Sequence, residues 1–194
     1  MITMENDRRA RRTKTLLKNA YIELLQEKKF TEISVKELCE LADINRGTFY
    51  LHYNDIYDLK TQLEDDIMNQ LEELVLSHAS LNTSDDTYQL FLQLFQFTEK
   101  NQLYFSAFLG ENGDISYFKR MQGMFKDLYL GLLLQGKTPS NSTNLDYSYN
   151  FIASGFTGLI ENWLSNSKRP APEEMAILVN RILYEGLPSL LSFL

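Results

Sequence analysis

The residues best suited to chemistry lie in the short run NRGTFYLHY, which begins at Asn45. An arginine can donate two hydrogen bonds to guanine, an asparagine can bond adenine, and a threonine methyl can contact the methyl group of thymine. Arg46, Asn45 and Thr48 therefore carry side chains of the kind that read base pairs. Gly47 has no side chain, so a DNA backbone or methyl group can approach closely there. The run predicts a surface that recognises double-stranded DNA.

The end of the same run is better suited to phosphate than to base contact. Hydroxyl and ring N–H groups position a protein on the DNA backbone without reading its sequence. We expect this role for Tyr50, His52 and Tyr53, whereas Phe49 is expected to point inward. Packing of His52 against the first helix is the alternative for that residue.

Two short helices joined by a tight turn are predicted to position these side chains. Ser34 is followed by Glu37 at the spacing of a capping box, which begins the first short helix. A three-residue break, Asp43-Ile44-Asn45, separates it from a second helix over about residues 46–51. A longer amphipathic helix over about residues 8–28 precedes the pair and can buttress it. The arrangement is a helix-turn-helix, whose second helix enters the major groove.

Charge is distributed unevenly along the chain, whose formal net charge is −7. The first 53 residues carry ten Lys and Arg against eight Asp and Glu, whereas the remainder carries nine against 18. Five of the N-terminal cations lie within seven residues, from Arg8 to Lys14. Such a basic edge can hold phosphates on an otherwise acidic protein, although a solvated helix start is an equal alternative on charge alone. The contacts expected from this edge and from the first short helix are Arg9, Arg12, Ser34 and Lys36.

The composition of the chain indicates the cellular compartment in which it works. The single cysteine, Cys39, excludes an intramolecular disulfide and fits a reducing environment. No apolar stretch reaches the length of a membrane span, and the polar, Arg-rich start is unlike a signal peptide. We therefore expect a cytoplasmic protein that has no contact with a membrane.

Enzyme chemistry is not predicted. Two histidines and one cysteine provide no ligand set for zinc. The sequence also has no phosphate-binding GxxxxGK[ST] loop, no HExxH motif and no Ser-His-Asp combination beyond chance. We expect neither catalytic residues nor a metal nor a cofactor.

The segment FTEISVKELCELADINRGTFYLHYNDIYDLKTQLEDDI resembles the N-terminal DNA-binding domain of TetR/AcrR-family transcriptional regulators. The matched pattern is T/S-V-x-x-[LI]-x-x-x-A-x-[IV], then G-T-F-Y-x-[HY]-[FY], then an acidic, Leu-containing start to a fourth helix. It covers roughly residues 8–70. The resemblance implies an all-α protein of about nine helices. Its three-helix DNA-binding domain would occupy residues 1–54, and a larger effector-binding and dimerisation domain would occupy residues 55–194.

One departure from the family pattern concerns phosphate binding. Many members have a lysine near the start of the fourth helix, and the matching position here is Ile56. Lys60, one turn later, is the expected substitute. The alternative is Asn54 together with the N-terminal amides of that helix, because helix N-termini bind phosphate. Without a lysine at position 56, DNA affinity could depend more on the Arg-rich start.

The rest of the chain is rich in aromatic residues at helical spacing, which normally indicates a core. Many rings in a small helical bundle pack irregularly, so a pocket for an apolar or aromatic effector is the alternative. The segment FLGENGD…FIASGFTGLIENWL resembles the corresponding part of regulators from low-GC Gram-positive bacteria, including those similar to dihydroxyacetone-kinase regulators. The candidate pocket residues are Phe95, Phe108, Phe118, Phe125 and Trp163.

The last two helices offer a face for a second copy of the chain. Small residues allow helices to approach closely, and large neighbours interlock at the edges. Packing of the same face within one chain is the alternative. The residues predicted in a four-helix homodimer interface are Phe151, Gly155, Gly158, Leu159 and Ile182.

The sequence therefore predicts a ligand-responsive transcriptional regulator. The resemblance implies a repressor that binds a palindromic operator as a homodimer and is released by a small molecule. An activator of the same family is the first alternative, which the sequence does not distinguish from a repressor. A helical small-molecule-binding module without a DNA role is the second.

Overall fold

The computed structural model describes residues 2–78, 83–109, 117, 119–123, 126 and 142–186. Within these ranges no residue belongs to a β-strand, which confirms the all-α prediction. In the described part of the chain, residues 119–123 are helical, as are eight further segments. In chain order these are α1 (Ile2–Glu27), α2 (Val35–Ala42), α3 (Arg46–Tyr50), α4 (Ile56–Leu76), α5 (Ser84–Lys100), α6 (Gln102–Leu109), α7 (Ser142–Ser165) and α8 (Pro172–Glu185).

The chain forms two compact units. The first comprises Met1–Met68 and Leu103–Tyr117, and the second comprises Asn69–Gln102 and Phe118–Leu194. The sequence predicted a domain boundary after residue 54, between the DNA-binding domain and the effector-binding and dimerisation domain. That functional boundary stays a prediction. No helix in the described part of the chain is long and apolar enough to cross a bilayer.

In the first unit, α1 supplies the support for the two short helices. Its apolar positions recur at helical spacing, and Leu17, Tyr21 and Leu25 are almost completely buried. The helix α2 packs against α1, and α3 packs against α2. The sequence predicted this helix from about residue 8, whereas it begins at Ile2.

The predicted cap of α2 is half formed. Ser34 is the N-cap, and its Oγ accepts a hydrogen bond from the Glu37 backbone N–H at 3.2 Å. The Glu37 carboxylate does not return to the Ser34 N–H, because it accepts a hydrogen bond from Nζ of Lys28, the residue that follows α1. The reciprocal bond of a capping box is therefore replaced by an ion pair between the end of α1 and α2.

The turn between α2 and α3 has one strained residue. Asp43 caps the end of α2 in the left-handed conformation, with φ 53°. Its N–H bonds back toward Glu40, and the next N–H, of Ile44, bonds Cys39 O at 2.9 Å. Aspartate tolerates this conformation better than most residues, and the reversal sets the direction of α3.

In the second unit, α5 and α8 run antiparallel and are joined by polar side chains at both ends. Near one end, the Thr87 and Tyr184 hydroxyls lie 2.9 Å apart, and Asn180 Nδ2 donates to Ser84 Oγ at 2.8 Å. Near the other end, Arg169 bonds Glu99 at 3.3 Å. These bonds flank an extensive packed surface between the two helices.

Candidate nucleic-acid interface

The helix α3 exposes the side chains that the sequence assigned to base reading. Phe49 is completely buried and anchors the helix in the first unit. Arg46 and Gly47 are exposed, and Thr48 is half-buried. Since the helix has only five residues, one inward ring leaves most of its surface facing away from the core. The predicted division between inward Phe49 and outward Arg46 agrees with this geometry.

Asn45 acts as the N-cap of α3, a role that the sequence analysis did not assign to it. Its Oδ1 accepts a hydrogen bond from the Gly47 N–H at 2.8 Å. The second lone pair of Oδ1 and the Nδ2 group stay available for the expected contact with adenine, so the cap and that contact are compatible. A Cβ at Gly47 would lie 3.3 Å from the same Oδ1. Gly47 therefore leaves room for the cap as well as for DNA.

Two large side chains near the end of α3 are exposed. Tyr50 is 58 % exposed, in agreement with its predicted outward position, and Leu51 is 81 % exposed. We did not predict a role for Leu51, yet a leucine at this level of exposure beside base-reading groups is available to contact thymine methyls. The signal in the sequence is its position two residues after Phe49, because residues two apart on a helix point in roughly opposite directions.

Tyr53 is a core residue, which corrects the expectation that it contacts phosphate. Helical hydrogen bonding continues beyond α3, with the Tyr53 N–H bonded to Phe49 O at 3.0 Å. The two rings therefore share a face, with centroids 5.6 Å apart, and Tyr53 is only 7 % exposed. Burial is the main cause of the raised pKa of its phenol, followed by Asp66 and Asp58. His52 is half-buried beside it.

Lys60 is also buried, and the expectation that it holds a phosphate is wrong. It lies one turn after Ile56 on the inner face of α4, with its Nζ 2.7 Å from Glu64 Oε1 and 5.0 Å from the ring centroid of Phe30. Lys60 and Glu64 are 8 % and 3 % exposed. The amine is therefore engaged inside the first unit.

The start of α4 offers no substitute site for phosphate. Asp58 Oδ2 accepts hydrogen bonds from the backbone N–H and the side-chain amide of Asn54, both at 2.8 Å. Asp55 Oδ1 in turn accepts from the Asp58 N–H. The bond from the Asn54 backbone N–H, followed by that from Gln62, lowers the pKa of Asp58. An incoming phosphate would meet ionised carboxylates, so the alternative based on Asn54 and the helix amides is not supported.

The remaining predicted DNA contacts are exposed. Ser34 and Lys36 lie at the start of α2, and Arg9 and Arg12 lie on α1. A cavity of about 440 Å³ lies between the end of α2 and the start of α3, and Lys36 and Arg46 line it. Cys39 also lines this cavity but is 3 % exposed, and burial raises the pKa of its thiol.

The three candidate pocket residues that the structure describes belong to two aromatic clusters, one in each compact unit. Phe95 is buried in the second unit, where its ring lies 5.3 Å from that of Trp163 and 5.6 Å from that of Phe156. Phe108 belongs to the first unit, where it stacks on Tyr104 at 4.2 Å. Phe118 and Phe125 lie outside the described residues. Phe95 and Trp163 therefore occupy one aromatic cluster, and Phe108 another.

The predicted dimer face is open on α7. Phe151 is 79 % exposed, and a Cβ added at Gly155 or Gly158 would meet no atom within 4 Å. Leu159 and Ile182 are half-buried. Further large apolar side chains of α7 and α8 are exposed: Tyr147, Ile177, Leu183 and Tyr184.

Among the described residues, no group of three or more His, Cys, Asp or Glu side chains could hold a metal ion. The outward side chains of α3 and their support by α1 and α2 are those of a helix-turn-helix DNA-binding protein.

Comparison with known proteins identifies the family. Residues 85–185, just over half of the chain, match the TetR family model described as "Transcriptional regulator C-terminal region". The HTH-type transcriptional regulator YxbF of Bacillus subtilis (strain 168), itself uncharacterised, is 23 % identical over 165 residues. That match covers 82 % of this chain but only 42 % of YxbF.

Solved structures share the fold. A TetR transcriptional regulator from Streptococcus agalactiae 2603V is 22 % identical with a TM-score of 0.63, and the match covers 93 % of this chain and 98 % of that one. NalD, the secondary repressor of the MexAB-OprM multidrug efflux pump in Pseudomonas aeruginosa, is 19 % identical with a TM-score of 0.69, covering 92 % and 98 %.

The chain belongs to the TetR/AcrR family of transcriptional regulators, as the resemblance predicted. It is accordingly a regulator of transcription.

Proposed function

We propose that this chain is a cytoplasmic repressor that binds a palindromic DNA operator as a homodimer and releases it when a small apolar or aromatic effector binds. The observation that carries the DNA role is the division of α3 between buried Phe49 and exposed Arg46, Gly47 and Tyr50. A helix whose outer face is polar and whose support is rigid can lie in a major groove without losing its core. Similarity in fold to the repressor NalD supports repression.

Arg46 is the residue proposed to read guanine. Replacing Arg46 by alanine is expected to weaken operator binding by about 1–3 kcal/mol and to relax base preference at one position of each half-site. The operator is first identified by selecting the duplexes that the full-length chain binds from a random-sequence library. Competition titrations against every base at each position then measure the preference.

Arg46→Lys is the matched control, because it keeps the charge and loses the planar fork that bonds guanine twice. It should relax base preference as Arg46→Ala does, and both variants should retain the salt slope of wild-type binding, because that slope reports phosphate contacts. If Arg46→Ala weakens binding to all sequences equally, Arg46 contacts phosphate and its assignment is wrong.

The homodimer is proposed to form through α7 and α8. Phe151, Gly155 and Gly158 lie within eight residues of α7, so they share the exposed face of that helix. Exposed apolar rings beside glycines permit close helix packing across a two-fold axis. Two copies of α3 would then enter successive major grooves roughly 34–36 Å apart.

Replacing Phe151 by aspartate is expected to convert the dimer into a monomer at micromolar concentration, because it would bury an unpaired charge at the centre of the interface. Sedimentation equilibrium measures the change. Gln93→Asp, which introduces the same charge at an exposed position of α5, should leave the dimer intact. A Phe151→Asp variant that sediments as a dimer would refute this interface.

The effector is proposed to bind in the second unit near the cluster of Phe95, Phe156 and Trp163. Aromatic side chains provide the apolar contact area that such a ligand needs. An effector releases DNA only to the extent that it binds one conformation of the dimer more tightly than another. A compound that binds tightly and leaves operator affinity unchanged would contradict this part of the proposal.

A further inference from the structure

Three cations form a row on the surface of α1. Arg8, Arg11 and Lys14 are spaced three residues apart, so they are neighbours on a helix surface, and all three are exposed. We call them the cationic row. Arg9 and Arg12 form a parallel row on the helix, in which Arg12 is also a neighbour of Arg8 at a spacing of four residues.

The row starts beside the end of the recognition helix. Lys14 Nζ lies 5.8 Å from the ring centroid of Tyr53, which follows α3 by three residues. From Lys14 the row continues along α1 for about 9 Å, at 1.5 Å per residue, before it reaches Arg8. A long arginine side chain extends this reach further.

The surrounding charge makes this part of α1 distinctive. Residues 8–22 contain six Lys and Arg and no Asp or Glu, whereas the rest of the chain carries 13 cations against 26 acids. The potential that attracts DNA is therefore concentrated here. At five residues, α3 offers few groups for base reading, so neighbouring contacts have more influence on sequence preference.

The residue types along the row, read from α3 outward, match the two parts of the duplex that lie beyond the edge of a major groove. The nearer part is the phosphate strand, for which a lysine is a suitable point-charge partner. Beyond that strand lies the minor groove, about 6 Å wide, whose narrow A·T-rich form attracts arginine. Lys14 is proximal to α3, and Arg11 and Arg8 are distal.

We propose that the cationic row is a second DNA-reading element, in which Lys14 contacts the phosphate strand beside α3 and Arg11 and Arg8 enter the adjoining minor groove. Base composition outside each half-site then contributes to affinity, with A·T-rich flanks preferred. This inference rests on the proposed DNA-binding function.

The experiment compares one selected operator core embedded in A·T flanks or in G·C flanks, with the core obtained by selection from a random-sequence duplex library. We expect wild-type protein to prefer the A·T-flanked duplex by about tenfold, because the narrow A·T-rich minor groove attracts the two arginines more strongly. The double variant Arg8→Ala/Arg11→Ala should bind both duplexes equally. Arg9→Ala/Arg12→Ala removes the same charge from neighbouring positions and should retain the preference while binding both duplexes more weakly.

Equal wild-type affinity for the two duplexes would overturn the inference, as would a preference that survives in Arg8→Ala/Arg11→Ala. Either result leaves binding to the core intact and so leaves the proposed function standing. If selection enriches no core at all, the proposed function fails, and the inference fails with it. Circular dichroism of each variant verifies that it is folded.

Discussion

Replacement of Phe49 by alanine is expected to lower the free energy of unfolding by about 3–5 kcal/mol, while replacement of its neighbour Tyr50 changes it by less than about 1 kcal/mol. Phe49 is fully buried and contacts the Tyr53 ring, so its removal leaves a cavity beneath α3. Tyr50 is 58 % exposed. The total stability of a protein of this size is about 5–15 kcal/mol, so the Phe49 variant would be only marginally folded.

The two variants should separate stability from DNA binding. Tyr50→Ala is expected to weaken DNA binding while the protein stays folded, because the hydroxyl is available to phosphate. Chemical denaturation followed by circular dichroism measures stability, and operator titration measures binding. Equal destabilisation by the two substitutions would show that α3 does not separate an anchoring side from a DNA-facing side.

Replacement of Lys60 by methionine is expected to destabilise the protein by about 3–5 kcal/mol, because it leaves the Glu64 carboxylate buried without its ion-pair partner. The double variant Lys60→Met/Glu64→Leu should recover most of that loss, since apolar residues of similar volume can replace a buried ion pair at little cost. A double-mutant cycle by chemical denaturation provides the measurement.

The same cycle tests whether Lys60 has a part in DNA binding. The folded double variant should bind operator with wild-type affinity and an unchanged salt slope, because the ammonium group does not reach the surface. A salt slope lower by about one in the double variant would restore Lys60 as a phosphate contact. Lys36→Ala, which removes an exposed cation near α2, should reduce the slope and serves as the positive control.

The local pattern was sufficient to predict the helix-turn-helix. Ser34 and Asn45 are both N-caps in the structure, and each is a residue type whose side chain accepts from free helix N–H groups. Phe49 is inward because α3 has only one apolar ring in its five residues. These features depend on contacts within four residues, which is the range that periodicity and capping rules describe.

The wrong predictions concern side chains whose environment comes from distant parts of the chain. Tyr53 and Lys60 have polar groups that suit phosphate, but helical spacing places them on the faces shared with Phe49 and Ile56. Glu37 was expected to complete a cap and instead pairs with Lys28, which follows the end of α1. The spacing of residues along one helix does not predict which side chains from another part of the chain will bind them.

The candidate pocket shows the same limit on a larger scale. Phe95 and Phe108 are both buried aromatic residues at helical spacing, yet they belong to different compact units. Composition indicates that aromatic side chains pack together, but it does not predict which of them are in contact with one another. The association of Phe95 with Trp163 required the packing of α5 near α7.

The bonds that join α5 to α8 have a consequence for how two protomers respond together. Tyr184 accepts or donates across to Thr87, and Asn180 bonds Ser84, so a shift of α5 carries α8 with it. The helix α8 also bears exposed Ile177 and Leu183 on the face proposed to meet a second copy. In the proposed homodimer, an effector that displaces α5 in one protomer would alter the surface on which its partner rests, and we expect occupancy of the two proposed effector sites to be cooperative.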